Sequence, residues 1–192
     1  PRDMTKAAGF YNTMLQSDEP ALIVECLNGY RLKEMMPSNL AEIRTPIGVV
    51  ECIHEGHDIT VVTYGSNCRL AVEAAELLID LGISIEIIDV QSLLPFDVNH
   101  TIVDHLKKTN RIIFFDEDVE GGASAYMMQQ VLEKQGGYQY LDSEPKTLCS
   151  KAHRPAYGSD GDYFSKPSSD DLVQLCVEIM NEYDPQRFPN WK

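Results

Sequence analysis

The sequence has no long apolar run and little positive charge. None of its apolar segments approaches the roughly 20 residues that a membrane-spanning helix needs. Its 192 residues include 16 Lys and Arg against 30 Asp and Glu, which gives a net charge of −14. This charge argues against sequence-independent binding of DNA or RNA, which requires a basic face, and it permits a basic protein partner. An initiator Met and an apolar signal region are also missing at Pro1, so we expect a segment of a longer chain.

The sequence also lacks the short motifs of common nucleotide and metal sites. It contains neither GxxxxGK[ST] nor GxGxxG, which excludes a P-loop and a dinucleotide-binding turn. No two of its cysteines lie within four residues of each other, which excludes a CxxC redox motif and a zinc knuckle. The cysteines are Cys26, Cys52, Cys68, Cys149 and Cys176. Because their number is odd and the chain is long enough to bury a core without disulfides, we expect free, buried thiols.

Alternating strand and helix patterns fill the chain from residue 59 onward. Short β-branched or apolar runs predict strands at 59–64, 83–89, 111–115 and 146–150. Apolar residues at helical spacing predict helices over about 67–81, 98–108, 123–134 and 169–183. Strand–helix alternation with short links is typical of an α/β fold, here a doubly wound, mostly parallel sheet with helices on both faces.

The first 58 residues have a different pattern. A helix is predicted over 5–16 and a strand over 21–26, and no periodicity persists between Asn28 and Thr45. One helix and one strand cannot bury a core of their own, so we interpret this region as the remnant of a second α/β domain. The predicted organisation is therefore a domain tail at 1–45, a linker at 46–58 and a complete domain at 59–192.

Acidic residues crowd the end of the predicted third strand. Ligands bind beyond the carboxyl ends of strands in open α/β sheets, and carboxylates there can hold Mg²⁺. A loop that faces solvent or a partner is the better interpretation of such a charge run. The acidic residues are Asp116, Glu117, Asp118 and Glu120. Gly121 and Gly122 follow them and indicate a turn with positive φ or a close backbone approach.

The five histidines provide weak signals. His54 and His57 have the HxxH spacing of some metal sites, and His153 with Arg154 lies beyond the last strand, where the pair can bind an anion. We assign each histidine a structural or exposed role. Catalytic triads are recognised by geometry rather than by spacing, so none is assigned. The residues by themselves therefore indicate an acidic α/β module without a self-contained active site.

Several stretches resemble a known family. The runs DITVVTYG at 58–65 and IIDVQSLLPFD at 87–97, with the helix at 71–81 between them, resemble the C-terminal domain of the transketolase superfamily. The run KKTNR at 107–111 and the acids followed by two glycines at 116–122 narrow this resemblance. They are similar to the beta chain of the thiamine-diphosphate-dependent first component of 2-oxoacid dehydrogenase complexes. Upstream, PALIVE, YR and TPIG at 20–25, 30–31 and 45–48 resemble the end of that family's pyrimidine-binding domain and its linker.

The resemblance implies a function for the full enzyme. It would decarboxylate pyruvate or a branched-chain 2-oxoacid with thiamine diphosphate and Mg²⁺, and pass the acyl group to a lipoyl arm. The family's cofactor-activating acid and its diphosphate-binding domain correspond to nothing in this sequence. No catalytic, cofactor-binding or metal residue is therefore assigned, no cofactor is expected in this segment, and the segment is not expected to be active alone.

The resemblance also implies partners and a location. The partners are a second copy of the chain, in a dimer, or the alpha-chain region of the same enzyme, and the lipoyl-bearing acyltransferase. Neither nucleic acid nor membrane is expected. The location is the cytoplasm, or the mitochondrial matrix in a eukaryote. The interface or docking candidates are Asp116, Glu117, Asp118, Glu120, Gly121, Gly122, His153 and Arg154.

One departure and two alternatives stay open. Residues 152–157 read AHRPAY where the family commonly shows Asp-x-Pro-x-Pro, so only Pro155 and Tyr157 correspond and the contacts of this loop are undetermined. A transketolase or deoxyxylulose-phosphate synthase C-terminal domain, acting on sugar phosphates, is one alternative. A free-standing receiver-like binding module is the other, although a receiver needs an acidic pair where the first strand here ends in Gly65 and Ser66.

Overall fold

A five-stranded sheet forms the centre of the molecule. The computed structural model describes residues 1–154, 157–158 and 161–189; Pro155, one of the two family-matching positions in its loop, lies outside this range. The strands are β1 Glu51–His54, β2 Ile59–Thr63, β3 Ile85–Asp89, β4 Ile112–Val119 and β5 Lys146–Ser150. Their order is β1-β3-β2-β4-β5, with β1 antiparallel to β3 and the other neighbours parallel. The predicted mostly parallel α/β fold is confirmed.

Helices cover both faces of the sheet. The helices of this region are α2 Asn67–Ile79, α3 Thr101–Thr109, α4 Ala123–Met128, α5 Gly161–Ser165 and α6 Ser169–Tyr183. A π-helical stretch, Gln129–Lys134, continues α4, and a 3-10 turn, Gly137–Tyr140, follows it. Helices α2 and α6 pack on one face, and α3 and α4 pack on the other.

The alternation of side chains along the strands produces two apolar clusters. In β4, Ile113 and Phe115 pack with α2 and α6, whereas Ile112 and Phe114 pack with α3 and α4. All four side chains are fully buried or nearly so. A strand that is apolar on both faces is what a central parallel strand requires, which explains why this run was recognisable in the sequence.

Carboxylates and hydroxyls fix the beginnings of two helices. The carboxylate of Asp97 accepts hydrogen bonds from the backbone N–H groups of Thr101 and Ile102, at 3.0 and 2.9 Å. Helix α3 therefore begins at Thr101, three residues later than the sequence predicts. Ser168 and Asp171 form a reciprocal capping box at the start of α6, the arrangement that satisfies two otherwise unpaired N–H groups.

Strand β1 was missed by the sequence prediction. It lies inside the segment assigned to a linker, and it joins the edge of the sheet through pairs such as Glu51 with Asp89. The strand has only four residues, all of them half-buried, so it has neither the length nor the alternation by which a strand is recognised.

Residues 1–50, which we term the N-terminal region, contain one α-helix and no strand. Helix α1 spans Met4–Met14, close to the predicted 5–16, and two 3-10 turns follow at Leu27–Arg31 and Leu40–Glu42. The strand predicted over 21–26 is wrong, because these residues form no strand. In the part of the chain that the structure describes, no helix is long and apolar enough to cross a membrane.

Candidate functional site

The topology places a switch point at the carboxyl edge of the sheet, and we term this place the crevice. Strand β2 lies between β3 and β4. Along the chain, β3 is placed on one side of β2 and β4 on the other, so the strand order reverses at β2. In open α/β sheets, ligands bind at such a switch point. Tyr64 and Ser66 follow β2, and Asp116 and Glu117 stand in the last half of β4, so these four residues border the crevice.

Asp116 lies inside the protein. It is fully buried, and its Oδ1 accepts hydrogen bonds from the Tyr64 hydroxyl at 2.6 Å and from the Asp118 backbone N–H at 3.1 Å. Its Oδ2 accepts from the Ser124 backbone N–H at 2.8 Å, in the first turn of α4. Burial, and then the bond to Asp116, raise the pKa of Tyr64, so this phenol stays protonated and donates. Asp116 therefore does not belong to an acidic docking surface, which corrects that part of the sequence interpretation.

Glu117 closes the other side of the crevice. Its Oε2 accepts hydrogen bonds from the Ser66 hydroxyl at 3.3 Å and from the Lys166 ammonium at 3.4 Å. Its backbone carbonyl accepts from the Ser150 hydroxyl. Glu117 thus connects the loop after β2, the neighbouring strand β5 and the segment before α6. The crevice is filled by the chain's own polar side chains.

The contacts in the crevice decide whether its residues could bind thiamine diphosphate and Mg²⁺. A diphosphate at the start of α2 would meet the Glu117 carboxylate, which lies 3.3 Å from the Ser66 hydroxyl. Both oxygens of Asp116 already accept hydrogen bonds, so this carboxylate is not available to a metal ion. The residues at this edge do not fit the cofactor, and no catalytic step is derived from them.

The exposed rim carries the remaining acidic candidates. Asp118 and Glu120 are exposed. Gly121 has a φ of +88°, and a Cβ on Gly122 would lie 2.5 Å from the Asp118 carboxylate. The predicted turn with positive φ is confirmed at Gly121, and the atoms closest to Gly122 belong to the Asp118 side chain.

A basic loop lies next to this acidic rim. Val119 of β4 pairs with Ser150 of β5, which places the loop after β5 beside residues 117–120. His153 and Arg154 are exposed in that loop, and the His153 ring centroid lies 5.6 Å from that of Phe164. The structure thus brings opposite charges together at one edge, and the docking role of both loops stays a prediction.

A second exposed surface belongs to the N-terminal region. We term residues 15–36 the apolar segment. In it, six large apolar side chains are 73 to 93% exposed. They are Leu15, Leu22, Val24, Leu27, Met35 and Met36. Single exposed apolar residues are ordinary, but a concentration of them indicates a surface that another molecule or domain covers.

Other residues at the site escaped the sequence prediction. Tyr64 and Lys166 were not singled out, although a Tyr at a strand end beside a predicted acidic strand end was an available signal. Arg2 was also missed: its guanidinium lies 2.9 Å from the Glu51 carboxylate and 2.7 Å from that of Asp89. Arg2 and Asp89 are 87 residues apart in the chain, so no local sequence pattern predicts their contact.

Comparisons with known proteins agree with the fold. A family profile described as "Transketolase, C-terminal domain" matches residues 48–164. Among solved structures, a chain described as "Split gene transketolase, inactive beta4 tetramer" is similar with a TM-score of 0.58 and 23% identity, over 72% of this chain and 43% of that one. At this identity the likeness concerns the fold alone.

Curated relatives match over most of this chain. The pyruvate dehydrogenase E1 component subunit beta of Mesostigma viride is 28% identical, over 91% of this chain and 52% of the relative. The acetoin:2,6-dichlorophenolindophenol oxidoreductase subunit beta of Bacillus subtilis (strain 168) is 29% identical, over 95% and 52%. The mitochondrial 2-oxoisovalerate dehydrogenase subunit beta of Chaetomium thermophilum is 33% identical, over 69% and 28%. The chain spans about half the length of such relatives, or less.

Proposed function

Because this chain belongs to the transketolase C-terminal domain family, we propose that it is the C-terminal part of the beta chain of a thiamine-diphosphate-dependent 2-oxoacid dehydrogenase. In that enzyme it serves subunit assembly and docking to the acyltransferase core. The observation that carries the proposal is the match of beta subunits over 91 to 95% of this chain. The crevice supports an assembly role for this chain, because the chain's own side chains fill it and catalytic groups would come from elsewhere in the enzyme. The residues that fill it are Tyr64, Ser66, Asp116 and Glu117.

The cofactor and the location belong to this proposal. Thiamine diphosphate and Mg²⁺ would be held outside this chain, and no residue here is assigned to them. The relatives' names include chloroplastic and mitochondrial forms. The cytoplasm, or the mitochondrial matrix in a eukaryote, stays the predicted location.

The assembly role rests on the apolar segment. Burial of apolar surface stabilises a complex by about 25 cal/mol per Å², and six large side chains in this segment are available for it. The partner we propose is a second copy of the chain or the alpha-chain region of the same enzyme. Neither a receiver-like module nor a sugar-phosphate enzyme is favoured. The family match opposes the first, and the dehydrogenase and oxidoreductase names of the relatives oppose the second.

An activity assay tests the enzyme proposal. The full-length protein would be co-expressed with its alpha-chain partner, and 2-oxoacid-dependent acylation of a lipoyl domain measured with pyruvate and with 2-oxoisovalerate. We expect turnover with at least one 2-oxoacid and none with xylulose 5-phosphate plus ribose 5-phosphate. Ketol transfer between the sugar phosphates without 2-oxoacid turnover would contradict the proposal and favour the transketolase alternative.

Charge reversal tests the docking proposal. Glu120→Lys alters the exposed rim, whereas the matched control Glu76→Lys alters an exposed acid on α2, away from the acidic rim. We expect the assembled enzyme to bind its basic acyltransferase domain more slowly in Glu120→Lys, with the on-rate difference shrinking as salt shortens the Debye length from about 10 Å at 0.1 M to about 3 Å at 1 M. Equal on-rates in the two variants would place docking elsewhere on the enzyme.

A further inference from the structure

A polar cluster lies at the amino edge of the sheet, away from the crevice. We term it the amino-edge cluster; it consists of Cys52 from β1, Glu86 from β3 and His105 from α3. Glu86 stands in the second position of a strand whose other residues are mainly isoleucine, and it is 0% exposed. Lys108, one turn after His105 on α3, reaches the same carboxylate. None of these residues takes part in the crevice.

The two oxygens of Glu86 have different surroundings. Oε1 accepts from the Lys108 ammonium and lies 4.0 Å from the Cys52 sulfur. Oε2 lies 3.0 Å from Nδ1 of His105, yet it is buried and has no aligned hydrogen-bond partner among the described residues. A buried carboxylate oxygen whose hydrogen bonding is incomplete carries a desolvation cost, and a cation that bonded to both Oε2 and the His105 nitrogen beside it would offset that cost.

The donor atoms have the separation that a small cation needs. One sulfur, one nitrogen and one carboxylate oxygen all lie within 4.8 Å of one another. Tetrahedral zinc has bonds of about 2.0–2.3 Å, which places its ligand atoms roughly 3.3–3.6 Å apart. Cys52 and His105 are both only partly buried, so the proposal requires their side chains to rotate toward that spacing when the ion binds. The mixed S, N and O set suits Zn²⁺ and disfavours Mg²⁺ and Ca²⁺, which prefer oxygen alone.

We propose that Cys52, Glu86 and His105 form a binding site for a zinc-type divalent cation. The ion bonds to Oε2 of Glu86, so that Lys108 keeps its contact with Oε1. The Cys52 thiol gives its proton to solvent on binding, and a water molecule completes the coordination from the exposed side. The ion would join the edge strand β1 to β3 and to α3 at the point where a bulge interrupts the β1–β3 pairing between Cys52 and His54. This role is independent of the proposed dehydrogenase function.

Cobalt provides a direct spectroscopic test on the full chain. We expect one Co²⁺ per chain, with tetrahedral d–d bands and a thiolate-to-cobalt charge-transfer band. Cys52→Ser should remove the charge-transfer band, and the control Cys149→Ser, another half-buried thiol, should retain it. His105→Gln should weaken Co²⁺ binding at least tenfold, and the control His57→Gln should not change it.

Zinc and thermal unfolding provide a second readout that does not depend on activity. Zn²⁺ at 100 times its Kd should stabilise the wild-type chain through linkage, and the increase in Tm should disappear in Cys52→Ser and His105→Gln. The Tm of each metal-free variant is the baseline for its own shift, because His105 Nδ1 lies 3.0 Å from Glu86 Oε2 and its loss alone is expected to change stability. Absence of Co²⁺ binding by the wild type, or a charge-transfer band that survives Cys52→Ser, would overturn the proposal.

Discussion

The exposure of large apolar side chains differs between two regions of the molecule. It is low in the core of the sheet domain, residues 51–189, and high in the apolar segment of the N-terminal region, residues 1–50. Phe114 in β4 is 0% exposed, whereas Leu22 in the apolar segment is 90% exposed. Both lie in runs that favour a strand, but β4 has a hydrogen-bonded neighbour on each side and a helical layer on each face. A strand-forming sequence therefore needs neighbouring strands and covering layers before it becomes a strand.

The contacts that connect the two regions include a group of charged side chains. Arg2 bonds to Glu51 and Asp89, and Lys6 pairs with Glu51. Partly exposed ion pairs stabilise weakly, so the two regions should respond to substitution by different amounts.

The largest effect is expected in the core of the sheet. Phe114→Ala should lower the free energy of unfolding by about 3–5 kcal/mol, because it removes a fully buried ring and leaves a cavity. Leu22→Ala should change it by less than about 0.5 kcal/mol, since the side chain is exposed. Urea unfolding of the full chain measures both. Similar losses in the two variants would show that the apolar segment is covered in solution.

The next effect concerns the buried carboxylate at the crevice. Asp116→Ala leaves the Tyr64 hydroxyl and the Ser124 N–H without their acceptor, and should cost about 2–3 kcal/mol in the free energy of unfolding. Asp118→Ala, two residues away and exposed, is the control, with an expected change below about 0.5 kcal/mol. If Asp116→Ala were as stable as its control, the crevice would not depend on this carboxylate.

A pH effect should report the contact between the two regions. The hydrogen bond from Arg2, opposed by partial burial and assisted by Lys6, lowers the pKa of Glu51 to about 2. The contribution of Glu51 to stability is therefore present above its ordinary pKa, about 4.3, and is lost as the pH falls toward 2. Because Glu51 is partly exposed, we expect about 1 kcal/mol. The Glu51→Gln variant should lose less stability than the wild type between pH 5 and 2, and parallel pH curves would refute the prediction.

The smallest effect lies within the N-terminal region. The Asn12 amide donates hydrogen bonds to the carbonyls of Leu40 and Ile43, at 2.9 and 3.0 Å. Asn12→Ala should lower the local opening free energy of α1 amides by about 0.5–1 kcal/mol, measured by hydrogen exchange. Protection of β4 amides should stay unchanged. Faster exchange in β4 would show that the two regions unfold as one unit.

Much of the sheet domain could be predicted from sequence. The four parallel strands and the four longest helices of this domain have local patterns, since apolar runs and helical spacing follow directly from burial. The edge strand β1 could not be predicted, because its four half-buried residues need the register of β3 to become a strand. The strand predicted over 21–26 was wrong for the opposite reason: this run has the composition of a strand, but no strand among the described residues pairs with it.

The candidate sites divide in a similar way. The acidic run at 116–120 was visible in the sequence, and its position at a strand end was predicted. That Asp116 is internal while Glu120 is exposed depends on where Tyr64 and Ser124 stand, and both come from other elements. Glu86 was visible as an acid inside an apolar strand, but its neighbours Cys52 and His105 are 34 and 19 residues away in the chain.

Local sequence patterns were enough to predict the alternation of strands and helices, the buried central strand, the turn at the two glycines behind the acidic run and the family resemblance. These features are local, so short-range periodicity and turn chemistry encode them. The strand order, the polar contacts in the crevice, the ion pair of Arg2 with Asp89 and the cluster around Glu86 became visible only in the folded structure. Each depends on side chains from distant segments, and their distances and burial are settled only when the layers pack together.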